Sequence, residues 1–171
     1  NDELAEKIRM ITNHGQNIKY YHKVLGCNSR LDSIQAGILN IKLKYLDVYS
    51  TNRNKMADYY DDKFSEIESL IIPKRQYNST HVFHQYTLRV LNGKRDELQQ
   101  YLSDRSIPSM IYYPLPLYKQ DAFKKYVNID FKLPNTENLC KQVLSLPIHT
   151  EYNEEILNYI TNEIIVFFKN Y

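Results

Sequence analysis

From Leu31 onward, Ile34, Ile38, Ile41, Tyr45, Leu46, Tyr49, Met56, Tyr60 and Phe64 recur at helical spacing, and no proline interrupts the chain before Pro73. This stretch predicts a helix running from residue 29 to about residue 66, bent or straight. Ser29, with Asp32 three residues on, reads as a capping-box variant in which Ser29 is the N-cap. At 1.5 Å per residue such a helix would be about 57 Å long, enough to link two domains. It divides the chain into residues 1–28, the helix over 29–66, and residues 67–171.

The flanks have different textures. Leu4, Ile8 and Ile11 follow early carboxylates and predict a short amphipathic helix over residues 2–13. Residues 14–28 hold two glycines and no clean period, which reads as an irregular, surface-lining loop. Beyond Pro73, His81 to Val90 alternates and is rich in β-branched and aromatic residues, a strand closed by Asn92-Gly93. His81 and His84 then face opposite sides of it, so they do not share a metal, and one of them is expected in the core. Leu98 and Leu102 predict a helix over 94–104, and Ser109 to Tyr113 a second strand, broken by Pro114 and Pro116. Pro134 opens a helix through Val143, residues 144–147 are extended, and Asn153 caps a final helix carrying Ile156, Ile160, Ile164 and Phe167. The sum is an α/β or α+β domain, a small sheet covered by helices.

Composition excludes more than it selects. In the 171 residues, 43% hydrophobic against 25% charged is the balance of a soluble globular chain, and no apolar run reaches the roughly 20 residues of a membrane span. The net charge of +2 is dispersed, which disfavours nucleic acid as a partner. Cys27 and Cys140 form neither a CxxC pair nor a cluster with zinc spacing, so no metal is expected and a reducing, cytoplasmic setting fits best. The chain starts without Met and enters a helical pattern at once, which reads as a piece of a longer polypeptide.

Two junctions concentrate polar groups. At Gly26-Cys27-Asn28-Ser29-Arg30-Leu31-Asp32 a glycine-containing loop runs into a helix N-terminus, where unpaired N–H groups, an amide and a guanidinium suit a phosphate or carboxylate. Capping by Ser29 and Asp32, with Arg30 a surface cation, explains the same residues without a ligand. At Met110-Ile111-Tyr112-Tyr113-Pro114-Leu115-Pro116-Leu117-Tyr118-Lys119-Gln120 a strand enters a proline-stiffened loop bearing hydroxyls, an ammonium and an amide. Packing of tyrosines at a strand end is the alternative, and sixteen tyrosines with no tryptophan make it a serious one. His149, after Leu146-Pro147-Ile148, reads as a turn residue.

In order, the segments ELAEKIRMITNHGQ, GCNSRLDSIQAGIL, HVFHQYTLRV, IYYPLPLYKQ and LSLPIHTEY resemble the C-terminal portion of the DegT/StrS sugar aminotransferases across essentially all 171 residues. Within the family the similarity is strongest to enzymes that aminate a UDP-linked 3-keto-N-acetylglucosaminuronic acid. The resemblance implies a fold-type-I (aspartate aminotransferase-like) α/β architecture with a long linking helix. Residues 1–28 would then be the tail of a large domain binding pyridoxal 5'-phosphate (PLP), and 67–171 the small C-terminal domain. It also implies a homodimer with shared active sites, PLP or its amino form PMP as cofactor, and a nucleotide-sugar substrate with glutamate as amino donor. By the same resemblance Asn28 contacts the cofactor phosphate across the dimer, Arg30 meets a sugar carboxylate, and Tyr112 and Tyr113 contact substrate. The lysine that bonds the cofactor is expected upstream, so no lysine here takes that role. Some relatives have His-Tyr for Tyr112-Tyr113, and many have His at Tyr118, which leaves the sugar open. A PLP- or PMP-dependent sugar dehydratase and a non-enzymatic binding module are the competing readings.

Overall fold

Asn1 opens the first helix, α1 (Asp2–Thr12), by accepting the Leu4 N–H on its side-chain oxygen at 3.1 Å, and Asp2 and Glu3 sit in the first turn where the helix dipole favours negative charge. The computed structural model describes residues 1–126, 132–151 and 153–170 and divides into two compact units, Asn1–Leu46 and Asp47–Tyr171. In the first, α1 is followed by a two-stranded antiparallel hairpin, β1 (Gln16–Ile18) and β2 (Tyr21–His22), where an irregular loop was expected. Asp32 caps α2 (Ser33–Leu43) by accepting the Gln35 N–H at 2.8 Å. The predicted cap, Ser29, instead gives its N–H to Thr12 O at 3.0 Å, so the helix starts four residues later than its sequence signature.

The helix expected over 29–66 is two helices, α2 and α3 (Leu46–Phe64). Lys44 and Tyr45 donate to Ile41 and Lys42, three residues back, which tightens the turn and ends the α-helical ladder. Nothing in Leu43-Lys44-Tyr45-Leu46 marks this break, since all are competent helix formers.

The second unit is built on a three-stranded antiparallel sheet in the order β3 (Leu70–Ile71), β4 (Tyr86–Val90), β5 (Val143–Leu146). Tyr86, Leu88 and Val90 alternate onto one face and are fully buried there. Met56, Ala57, Tyr60 and Phe64 of α3, Leu98 and Leu102 of α4 (Arg95–Ser103), and Leu157, Ile160, Ile164 and Phe167 of α6 (Glu154–Lys169) complete the core. Thr87 and Arg89 project from the other face. There Thr87 Oγ1 meets Ser145 Oγ at 2.7 Å, and Arg89 donates from Nε and Nη2 to Gln142 Oε1 of α5 (Pro134–Gln142). Asn153 caps α6, as expected, by accepting from Ile156 N–H at 2.9 Å.

Two strand expectations are corrected. His81 to Gln85 is not strand: Asn54 Nδ2 donates to His81 O at 2.8 Å, His81 Nδ1 accepts the Phe83 N–H at 2.9 Å, and Phe83 takes a left-handed φ of 44° to bury its ring. Both His81 and His84 are therefore exposed, and neither is a core residue. Residues 109–113 keep a single bridge, Met110 to Ser145.

Candidate functional site

The polar junction around Asn28 is shaped by a close backbone crossing. His14 and Gly15 both take left-handed φ, 59° and 79°, turning the chain out of α1 while Gly15 N–H donates back to Met10 O at 2.8 Å. A Cβ on Gly15 would lie 1.7 Å from Val24 O, so only glycine lets the hairpin return there. The returning strand then runs along the end of α1: Cys27 N–H reaches Ile11 O at 2.9 Å, His14 N–H reaches Cys27 O at 3.0 Å, and Asn13 bridges Asn28. This ladder fixes the Asn28 backbone and leaves its side chain exposed. Arg30 Nε donates to Asn28 Oδ1 at 2.8 Å, so the two residues singled out in the sequence meet directly. With the carboxamide oxygen taken, the Nδ2 hydrogens of Asn28 and the two Nη groups of Arg30 present a set made only of donors, the chemistry that phosphate and carboxylate oxygens need.

Tyr112 and Tyr113 lie in the second unit, their rings edge to face at 5.7 Å. They line a cleft of about 530 Å³ whose other walls include Pro114, Leu117, Leu139 and Cys140, with the Gln120 amide as a polar group. Tyr113 is 72% exposed and Tyr112 37%, so neither is simple core packing. By contrast Tyr60 and Tyr86 are buried, and their hydroxyls find Pro147 O at 2.8 Å and Asp61 Oδ1 at 2.7 Å. Lys119 and Tyr118 turn to Glu137: the ammonium lies 3.0 Å from Oε2 and the phenol donates to Oε1. The hydrogen bond from Tyr118, then that from Lys119, holds the Glu137 carboxyl below the usual carboxylate range, and the same contact raises Lys119. The Lys119 charge is thus already paired. Sequence reasoning missed Glu137 because nothing in a separation of 19 residues signals a contact with Tyr118.

A second cleft, of about 520 Å³, shares Tyr112 with the first and includes His84, Gln85, Ser109 and His149. Among the described residues no group of three His, Cys, Asp or Glu side chains could hold a metal, and no helix is long and apolar enough to cross a membrane.

A sequence model of the DegT/DnrJ/EryC1/StrS aminotransferase family matches residues 1–165. The chain is 44% identical over 172 residues to the pleiotropic regulatory protein of Geobacillus stearothermophilus, covering 99% of this chain and 46% of that one. It is 38% identical over 148 residues to the UDP-2-acetamido-2-deoxy-3-oxo-D-glucuronate aminotransferase of Pseudomonas aeruginosa, covering 86% and 40%. Among solved structures, DesV of S. venezuelae in complex with a ketimine intermediate superposes with a TM-score of 0.90 at 32% identity, covering 98% of this chain and 45% of that one. The chain spans just under half the length of these proteins and has the fold of that part of a fold-type-I enzyme, as the sequence led us to expect.

Proposed function

The chain belongs to the DegT/DnrJ/EryC1/StrS aminotransferase family, and from that membership we propose that the enzyme transfers an amino group from glutamate to a keto carbon of a nucleotide-linked sugar. Aminotransferases of this family depend on PLP, which when bound supplies the electron sink for the transfer. The observation that carries the reading is the exposed Asn28–Arg30 pair, a set of donors suited to an anion. The fit to the cofactor is at its phosphate: Asn28, its amide oriented by the Arg30 Nε bond to Oδ1, would hold the phosphate through Nδ2.

Arg30 then faces the substrate with Nη1 and Nη2, an end-on fork matched to the carboxylate of a sugar uronic acid. Tyr112 and Tyr113 form a wall against the sugar nucleotide, supplying flat apolar area and hydroxyls that orient the keto carbon. In this reading the chain binds and orients, residues 1–28 close the large cofactor domain, 67–171 form the small one, and no lysine of the chain bonds the cofactor. Asn28 and Arg30 serve the active site of the partner subunit of a homodimer, which the exposed Ile34, Ile38 and Ile41 of α2 support as contact surface. Two free cysteines, Cys27 exposed, suit a reducing cytoplasm.

Replacing Arg30 with alanine in the full-length enzyme tests the carboxylate contact. Loss of one bidentate charged pair should cut kcat/KM for a UDP-linked 3-keto uronic acid about a hundredfold, and that for the neutral 3-keto sugar only a few-fold. Equal losses on the two sugars would remove the role.

A further inference from the structure

The cleft lined by Tyr112 and Tyr113 is closed by two segments, residues 114–120 and α5. Pro114 and Pro116 stiffen the loop, yet a stiff loop still needs an anchor at each end. Upstream the anchor is the sheet: Met110 N–H donates to Ser145 O at 3.0 Å and Ser145 N–H to Met110 O at 2.7 Å. Downstream, residues Leu117–Lys119 form one 3₁₀ turn closed by local bonds, Lys119 N–H to Pro116 O at 2.9 Å and Gln120 N–H to Leu117 O at 3.0 Å. Those bonds shape the turn without attaching it to α5.

Glu137 makes the charged attachment, beside a long bond of 3.5 Å from the Leu133 N–H at the N-cap of α5 to the Tyr118 hydroxyl. One carboxylate oxygen accepts from the Tyr118 hydroxyl and the other pairs with Lys119 Nζ, so two consecutive residues of the turn are gripped by one side chain of α5. The helix that carries Glu137 is fixed to the core in its turn. Gln142 accepts two bonds from Arg89, and Arg95, buried to 7% exposure, donates to Cys140 O at 3.0 Å and Val143 O at 3.2 Å. Rigidity therefore passes from the sheet through α5 and Glu137 to the loop.

We infer that Glu137 is a positioning residue for substrate: its carboxylate locks the Tyr118–Lys119 turn onto α5 and so sets the width of the cleft that Tyr112 and Tyr113 present to the nucleotide sugar. The inference rests on the proposed assignment of those two tyrosines as substrate contacts. Glu137 touches neither substrate nor cofactor. It acts by sparing the bound state the cost of ordering the turn, an effect that belongs to binding rather than to chemistry.

The test uses the full-length enzyme with PLP, comparing wild type, Glu137→Ala and Glu137→Gln. Removing the carboxylate should speed amide hydrogen exchange at Lys119, Gln120 and Phe123, and raise KM for the nucleotide-linked keto sugar about tenfold with kcat within about twofold. The glutamine variant keeps an acceptor for the Tyr118 hydroxyl and should recover most of the KM, which a general loss of stability would not reproduce. Unchanged exchange in Glu137→Ala overturns the inference, and so does a fall in kcat as large as that in kcat/KM. An active wild type whose KM is indifferent to Glu137→Ala removes the inference alone. A wild type that aminates no nucleotide-linked sugar removes the functional reading, and the inference with it.

Discussion

Asp61 joins three parts of the second unit through one carboxylate. Its Oδ1 accepts from the Tyr86 hydroxyl at 2.7 Å and its Oδ2 from Arg75 Nη2 at 2.7 Å, while Arg75 Nη1 reaches Asp58 at 2.6 Å and its guanidinium lies over Phe83 at 4.7 Å. Tyr86 is fully buried, so Asp61→Ala leaves a phenol without an acceptor and should destabilise the protein by about 2 kcal/mol, seen as a lower urea midpoint. Asp61→Asn, which keeps an acceptor, should cost less. Burial, then the hydrogen bond to Asp61, raises the Tyr86 phenol well above its ordinary value. A raised folded value means that the contribution is complete below the unfolded phenol value of about 10 and is lost as pH climbs above it. Stability measured upward from about pH 9 should therefore fall more steeply in wild type than in Tyr86→Phe. Equal slopes would show that Tyr86 does not titrate on unfolding.

At the scale of elements, the hairpin that presents Asn28 depends on Gly15. Gly15→Ala meets both a φ of 79° and a backbone oxygen 1.7 Å from the new Cβ, whereas Gly93→Ala meets a φ of 72° in open space. The first should cost several kcal/mol and the second only about 1 kcal/mol of left-handed strain, and equal urea midpoints would refute the crossing argument. This hairpin also marks where sequence reading stops. α1, α4, α5 and α6 announce themselves through caps, Pro134 and apolar period, because those signals are local. The hairpin does not, since its strands are short and its flanks, Gly15, Cys27 and Ser29, are held by bonds to Met10, Ile11 and Thr12 rather than by local propensity. The break at Lys44–Tyr45 is silent for a related reason: α2 leaves Ile34, Ile38 and Ile41 exposed while α3 buries Met56, Tyr60 and Phe64, so one continuous apolar period serves two units. β3 is too short to show a period, and His81 to Gln85 alternates like a strand but is held by Asn54 and the Phe83 ring. Of the proposed site, Asn28 and Arg30 were legible as a junction and Tyr112-Tyr113 as a strand end entering a proline-stiffened loop, while the contact of Glu137 with Tyr118 and Lys119 depends on where α5 packs.

At the scale of the whole molecule, the first unit carries apolar side chains that it does not cover itself: Ile34 is 78% exposed, Ile41 61% and Leu43 67%. Patches of this kind mark contact surfaces. If α2 lies in a dimer interface, full-length protein should sediment as a dimer and Ile38→Glu should shift it toward monomer, and a variant dimer of unchanged stability would place the interface elsewhere. Positioning of a sugar nucleotide for amino transfer by Asn28, Arg30, Tyr112 and Tyr113 is tested most directly by a single turnover. Full-length enzyme in its PMP form, mixed with a UDP-linked 3-keto-N-acetylglucosaminuronic acid, should yield the 3-amino sugar and one equivalent of PLP, read by mass and absorbance. Release of a deoxygenated sugar, or no amination of this sugar or of any other nucleotide-linked keto sugar by PMP-loaded enzyme, would contradict it.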